Sequence, residues 1–333
     1  MRSSADIDGA VDAIRAWGER CDWVGWDPYD ALNSPFAGAL SLGRPLGRRV
    51  LTQVVKGSPI NLRPLLRIPR ERDAKGIALA ASAYARLAVA HADESAAAAA
   101  RRLVEWLVAA AEPCRTGSGW GYHFDVQTRF FHYRRGEPNA IATTFVAHAL
   151  LDARELLGDT DVDAAVLGAA AFLEGALLAP GSSPYFRYVG EERDLIHNAN
   201  LLACSVLVRA ARVLDEPALE TAAVAPLHTT LAAQAPDGSW PYSERPRDAW
   251  VDNFHTGYVL ESLAACAGLA PSVVPRLERG VAFWERVLFL ADGTPRGTTT
   301  ASLPVDSHSY AQAVETWLAV APWRPDALDR AER

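Results

Sequence analysis

The chain has 333 residues, half of them hydrophobic and 22% charged, with a formal net charge of −7. This balance excludes a disordered chain, and no uninterrupted apolar run reaches the ~20 residues of a transmembrane helix. The basic cluster of Arg63, Arg67, Arg70, Arg72 and Lys75 is local, so a nucleic-acid partner is not expected.

A first helix is expected over residues 6–19. Residues 27–35 hold two prolines and several turn formers and cannot be regular. A helix then runs over 36–56 until Gly57-Ser58-Pro59 stops it, and a short apolar turn follows at 62–66. Further helices are expected over 74–91, 95–112, 139–157, 161–178, 196–214, 217–234, 253–267, 272–289 and 307–320. Asp159-Thr160 opens one of these and Pro271-Ser272 another. The helices over 74–91, 139–157, 196–214, 253–267 and 307–320 are small and apolar all round, the mark of burial. Those between them carry charge on one face, as with Arg101, Arg102 and Glu105, or Arg276, Glu278, Arg279 and Glu285. Counting 36–56 as buried gives six inner helices, each with an outer partner. Six such pairs predict an all-α, single-domain (α/α)6 toroid over residues 1–333.

The polar loops entering the inner helices repeat. Ile196-His197-Asn198-Ala199-Asn200, Asp252-Asn253-Phe254-His255-Thr256-Gly257 and Asp306-Ser307-His308-Ser309 each run into an alanine- and leucine-rich stretch. Their histidines lie 58 and 53 positions apart, the period of a helical hairpin with a long loop. Parallel inner helices place their N-termini, with their partial positive charge, on one face. The expected mouth is lined by residues 27–33, 120–129, Asn139, 184–188, 197–200, 252–255 and 306–308. Four scattered cysteines without a C-x-x-C pair, and a first stretch with no secretory signal, lead us to expect a reduced, cytoplasmic setting.

Three segments carry a resemblance. Residues 26–34 (WDPYDALNS), 120–129 (WGYHFDVQTR) and 252–258 (DNFHTGY) resemble those of a little-characterised (α/α)6 family, often encoded beside glycosyltransferases in polysaccharide-biosynthesis clusters. The resemblance covers nearly the whole chain and implies a glycan-related role with a possible glycosyltransferase partner. More distantly, the architecture is similar to six-hairpin glycosidases, uronyl hydrolases, sugar epimerases and lyases, an analogy of fold alone. Gln234-Ala235-Pro236-Asp237-Gly238-Ser239-Trp240 resembles the Q-x-x-D-G-S-W motif of triterpene cyclases, where it staples a turn. The cyclase acid motif D-x-D-D is missing.

Sugar rings stack on aromatic planes while polar side chains bind their hydroxyls. On that ground Trp26, Tyr29, Asn33, Trp120, Tyr122, Gln127, Arg129, Asn139, His197, Asn198, Asn253, Asp306 and His308 are candidate substrate-binding residues. Glycoside cleavage needs two carboxylates, and epimerisation or elimination needs a base. Asp125 is the first catalytic candidate because local structure explains it least; Asp252, Asp27 and His255 follow. Asp252 and Asp306 also stand where an N-cap belongs, and Asp27 where an Asx turn would use it. His197, His255 and His308 are weighed as a zinc site against bases or loop ties; no local zinc signature supports metal, and no organic cofactor is expected. The reading is a carbohydrate-active hydrolase, lyase or epimerase acting on a glycan or sugar intermediate of polysaccharide assembly. Its rivals are a terpene or prenyl cyclase on the same scaffold and a non-catalytic binder of glycan or glycosyltransferase.

Overall fold

The computed structural model describes residues 4–127, 132–190, 193–303 and 307–332. The chain divides into two compact units, one formed mainly by residues 5–114 and 118–165, the other mainly by residues 166–333.

The first unit holds α1 (Ser4–Arg20), a 3-10 turn (Asp30–Asn33), α2 (Ala37–Leu40), α3 (Pro45–Gly57), α4 (Ala74–His91), α5 (Glu94–Ala109) and α6 (Ala140–Leu157). Alanine-rich sequence favours helix for α4 and α5, and acceptor side chains start three of these helices. Asp73 accepts from Gly76 N at 2.9 Å, Asp93 from Ser95 N and Ala96 N, and Asn139 from Ala142 N at 2.9 Å. At the other end of α6, Gly158 takes the left-handed conformation at φ +71, where a side chain would be strained. α4 packs on both α5 and α6, and its small residues let the backbones approach.

One expectation fails here. Residues 36–56 do not form a single buried helix. The left-handed pair Leu42 (φ 53) and Gly43 (φ 63) breaks the run into α2 and α3, and within α3 only Thr52 and Val55 are buried. Val55 packs with Ala31 and Ile68, with Leu51 and Leu66 against them. The opposite face of α3, although apolar, is open.

The chain leaves the first unit within α7 (Asp163–Phe172), which a π-turn (Leu173–Leu177) continues. The second unit holds α8 (His197–Val213), α9 (Pro217–Ala232), α10 (Asn253–Ala265), α11 (Val273–Val287), α12 (Ser307–Val320) and α13 (Ala327–Ala331). α10 packs on α8, α11 and α12, and α9 covers α8. A Cβ on Gly257 would come within 2.8 Å of Gln312 and Thr316 on α12, so glycine sets how closely α10 and α12 approach. Almost all of α8 is buried, as its composition predicts.

The Gln234–Trp240 motif is a turn staple. Gln234 Nε2 donates to Gly238 O and to Arg276 O, its Oε1 accepts from Arg279, and Trp240 Nε1 donates to Thr230 O. The end of α9 is thereby tied to α11. Gly238 sits at φ +99 with Arg279 O 2.5 Å from where a Cβ would be, so the position requires glycine.

Short antiparallel pairs decorate the loops: Val126–Gln127 with His132–Tyr133, and Leu178–Ala179 with Tyr185–Phe186. No helix among the described residues is long and apolar enough to cross a membrane.

Candidate functional site

In each unit a constellation of titratable groups gathers at the start of a helix. In the second unit it forms where the loop at 240–252 enters α10. Asp252 caps that helix, accepting from His255 N at 2.9 Å through Oδ1. Its other oxygen lies 2.6 Å from His255 Nδ1 and accepts from Trp250 Nε1 at 3.0 Å. Burial opposes the charge on Asp252, but the attraction of His255 and these hydrogen bonds prevail and hold its carboxyl below the usual range. An Nδ1–H···carboxylate contact fixes the tautomer, leaving Nε2 of a neutral His255 as the acceptor.

Aromatic rings frame this pair. Tyr242 and Trp250 stack with centroids 4.7 Å apart and planes within 10°. Tyr242 also touches the His255 ring at 4.6 Å, and Trp250 is 41% exposed. Together with His197, Asn198 and Trp240 these residues line a narrow pocket. Asn198 Oδ1 is buried there without a hydrogen-bond partner among the described residues. An orphaned acceptor of this kind is satisfied by a water or by a ligand donor. His197 is itself buried, with Nδ1 3.2 Å from Thr230 Oγ1 and Nε2 2.8 Å from Glu244 Oε1. That bond holds the Glu244 carboxyl below its usual range.

His308 is engaged separately, with Nε2 2.7 Å from Tyr258 Oη. Burial pushes the Tyr258 phenol up, so that hydroxyl stays protonated. Phe254 packs against the rings of both His255 and His308, at 4.0 and 4.5 Å. The three histidines therefore have three different partner sets. Among the described residues no three His, Cys, Asp or Glu side chains come together as a metal cage.

In the first unit the constellation is Asp27, Asp73, Lys75 and His123. Asp27 accepts from Tyr29 N at 2.8 Å, the Asx turn expected of it. Burial, opposed by that bond and aided by repulsion from Asp73, pushes its carboxyl up to about 6. Asp73, besides capping α4, lies 3.3 Å from His123 Nδ1. Lys75 sits on the first turn of α4 with Nζ 4.3 Å from the Phe145 ring centre. Burial lowers its ammonium to about 8, against the pull of Asp73 and Asp27. Asp30 is buried and paired through both oxygens to Arg63 Nε at 2.8 and 3.1 Å, while Arg63 Nη2 also holds Asp27 O. Such an ion pair positions Asp27 rather than offering chemistry of its own.

The remaining expected residues fall in different places. Asp125 Oδ1 accepts from Arg135 N at 2.7 Å and Asn33 bridges Asp125 N and His123 O, so both tie loops. Gln127 lies on the short strand pair, 3.5 Å from Arg48. Trp120 is not at a mouth: it is fully buried and its indole donates to Leu107 O, because a bulky ring with one donor serves the core best when that donor finds a carbonyl. Asn139 is likewise buried as the cap of α6, and Asn253 is buried with its amide donating to Leu288 O at 2.6 Å. Trp26 donates to Ile68 O, Tyr29 accepts from Lys56 Nζ, and Tyr122 stacks on Phe124. Arg129 and Asp306 lie outside the described residues. Sequence reasoning did not single out Asp73, His123, Thr230 or Glu244 as functional candidates. Asp73 carried a signal, an N-cap before an alanine run; Glu244, in an irregular loop, carried none.

No family model matches the chain, and no curated protein sequence matches it. Solved structures do. An unsaturated glucuronyl hydrolase specific for heparin superposes with a TM-score of 0.59 at 13% identity, over 78% of this chain and 71% of that one. The cellobiose 2-epimerase of Spirochaeta thermophila gives 0.58 at 14%, over 92% and 88%. A family 88 glycosyl hydrolase from Bacteroides vulgatus gives 0.53 at 13%, over 78% and 74%. The likeness shows the fold: all-α, of the (α/α)6 toroid class that six-hairpin glycosidases and epimerases share.

Proposed function

We propose that this protein is a carbohydrate-active enzyme whose chemistry is proton transfer at a sugar, as hydrolysis, elimination or epimerisation. The observation that carries this reading is the His255–Asp252 pair, an imidazole oriented by a carboxylate at 2.6 Å and opening on an aromatic-walled pocket. Trp250, 41% exposed, offers a ring on which a sugar can stack, and Asn198 Oδ1 is an unpartnered acceptor in the pocket wall for a ligand donor. Fold-level likeness to a glucuronyl hydrolase, a cellobiose epimerase and a glycosyl hydrolase supports the substrate class.

Within the first unit, considered by itself, Asp27 is an acid/base candidate, because a carboxyl near 6 exchanges its proton close to neutral pH. Lys75 beside it suits a substrate bearing a carboxylate or phosphate. The setting we infer is cytoplasmic polysaccharide assembly, with a glycosyltransferase as a possible partner. Its basis is the sequence resemblance. A pocket lined by Asp, Asn and two His favours this reading over a terpene cyclase, whose cavity should be dry.

The test is turnover on a panel of uronate-containing and neutral oligosaccharides in deuterated water. NMR detects exchange at a sugar C–H, and reducing-end release detects hydrolysis. His255→Gln and Asp252→Asn should each lower kcat by about 10²–10⁴-fold, with the helical circular dichroism intact. Full turnover by His255→Gln would overturn the assignment. Saturable glycan binding without turnover across the panel would establish a binding protein instead.

A further inference from the structure

The surface built by residues 36–70 differs from the rest of the molecule in two independent ways. It holds seven Lys or Arg and no Asp or Glu, in a chain with 40 acids and a net charge of −7. The remainder of the chain is therefore about twice as acidic as the whole. Within the segment Arg63 is taken up by an ion pair, with Asp30. Among the described residues Arg44, Arg49 and Arg67 form none.

The same surface carries protruding apolar side chains. Leu42 is 77% exposed, Leu46 67%, Ile60 68% and Leu65 76%. Leu46, Val50 and Val54 recur every fourth residue and form a stripe along the open face of α3, with Arg49 and Lys56 beside it. The opposite face is fixed by packing of Val55 on Ala31 and Ile68, so the stripe has no route into the core. An amphipathic helix between protruding turns, basic and apolar on one surface, has the pattern of an interfacial element.

We propose that the 36–70 surface docks the protein onto an anionic lipid bilayer. Leu42, Leu46, Ile60 and Leu65 enter the headgroup layer, and Arg44, Arg49 and Arg67 hold lipid phosphates. Charge complementarity selects this occupant: a second copy would bring an equally basic face against the first. Leu42, Ile60 and Leu65 stand out singly, on turns that precede and follow α3 in the chain. A bilayer accommodates isolated protruding side chains, whereas a protein partner would need a matching pocket for each. The inference does not depend on the proposed sugar chemistry.

The experiment is co-sedimentation of the full chain with vesicles of mixed phosphatidylglycerol and phosphatidylcholine, and with phosphatidylcholine alone. Two variants are compared: the quadruple Leu42→Ser, Leu46→Ser, Ile60→Ser, Leu65→Ser, and the triple Arg44→Glu, Arg49→Glu, Arg67→Glu. Both change exposed side chains, and thermal unfolding checks that each stays folded. The wild type should sediment with the anionic vesicles only and be released by high salt. The triple variant should bind at least 100-fold more weakly, since each basic residue near the surface is worth roughly fivefold. The quadruple variant should lose at least tenfold. Absence of wild-type binding at low salt would overturn the proposal. So would unchanged vesicle binding by the quadruple variant, the result for a surface that reads acidic polymers or proteins by charge alone. A wild-type dimer that the quadruple variant converts to monomer, without vesicle binding, would assign the surface to self-association instead.

Discussion

Replacing Asp27 by Asn should make the protein more stable, and only above a definite pH. The folded state binds the Asp27 proton more tightly than the unfolded chain does, because burial raises the carboxyl from 3.8 to about 6. Stability linked to this group is therefore fully present below pH ~4 and lost as pH rises to about 6. That rise in proton affinity corresponds to ~3 kcal/mol at pH 7 and above. Some of that gain is taken back. Removing the Asp27 charge takes away one of the two carboxylates that raise the Lys75 ammonium, so that charge becomes costlier to hold. The Asn carbonyl can still accept from Tyr29 N. A net gain of ~1–3 kcal/mol remains, worth several degrees in midpoint at ~2–4 °C per kcal/mol for a body of this size. Thermal unfolding of wild type and Asp27→Asn at pH 4, 5, 6, 7 and 8 measures it. The two curves should coincide at pH 4 and separate between pH 4 and 6. A difference independent of pH, or a variant less stable at pH 8, would refute the idea that Asp27 is held against its solvation preference. A carboxylate kept at a cost to stability is what an acid/base group looks like.

Lys75→Met should show the reverse pH dependence. Its folded ammonium sits near 8 against 10.5 unfolded, so the variant is more stable by ~2 kcal/mol at pH 7, and the gain fades as pH rises toward 10.5, read by urea unfolding at pH 7, 9 and 10. Arg63→Met should do the opposite of both. It strands Asp30, which is 1% exposed, without its partner. A loss of ~3–5 kcal/mol is expected at neutral pH, visible as a lower urea midpoint, and should ease in acid as Asp30 takes up a proton.

Much of the architecture could be read from the residues because its cause is local. The burial of α6 and α8 follows from small side chains on every face, whereas α4 buries one face and leaves Leu79 and Val89 exposed; α12 spans 307–320 as expected. The Q-x-x-D-G-S-W turn was legible from its resemblance to the cyclase motif, although Gln234 finds partners as far along the chain as Arg276 and Arg279. Counting residues 36–56 as a buried helix misled because an apolar face signals burial only if a neighbour supplies the covering surface. In α3 the stripe of Leu46, Val50 and Val54 is as apolar as a core helix and yet stays open. Trp120 misled for the converse reason. A tryptophan in a polar loop reads as a stacking platform until the carbonyl that receives its indole, Leu107 O on α5, is seen.

The candidate sites were harder to read, and the reason lies in what an N-cap is. A cap needs an acceptor side chain at the start of a buried helix. A proton-transfer site in a helical array needs polar groups at the same place, where packing leaves room. Asp252 answers both demands at once: one oxygen caps α10 while the other orients His255. Asp73 does the same on α4, with Gly76 N on one oxygen and His123 on the other. Treating cap and chemistry as competing explanations of one residue therefore divides what the second oxygen joins. Asn139 tests that logic. It caps α6 in the same manner but stays buried, and its Nδ2 has no partner among the described residues. Among the described residues four helices begin with an Asp or Asn side-chain cap, at Asp73, Asp93, Asn139 and Asp252, and only at Asp73 and Asp252 does a histidine stand within reach of the spare atom and make the cap part of a site.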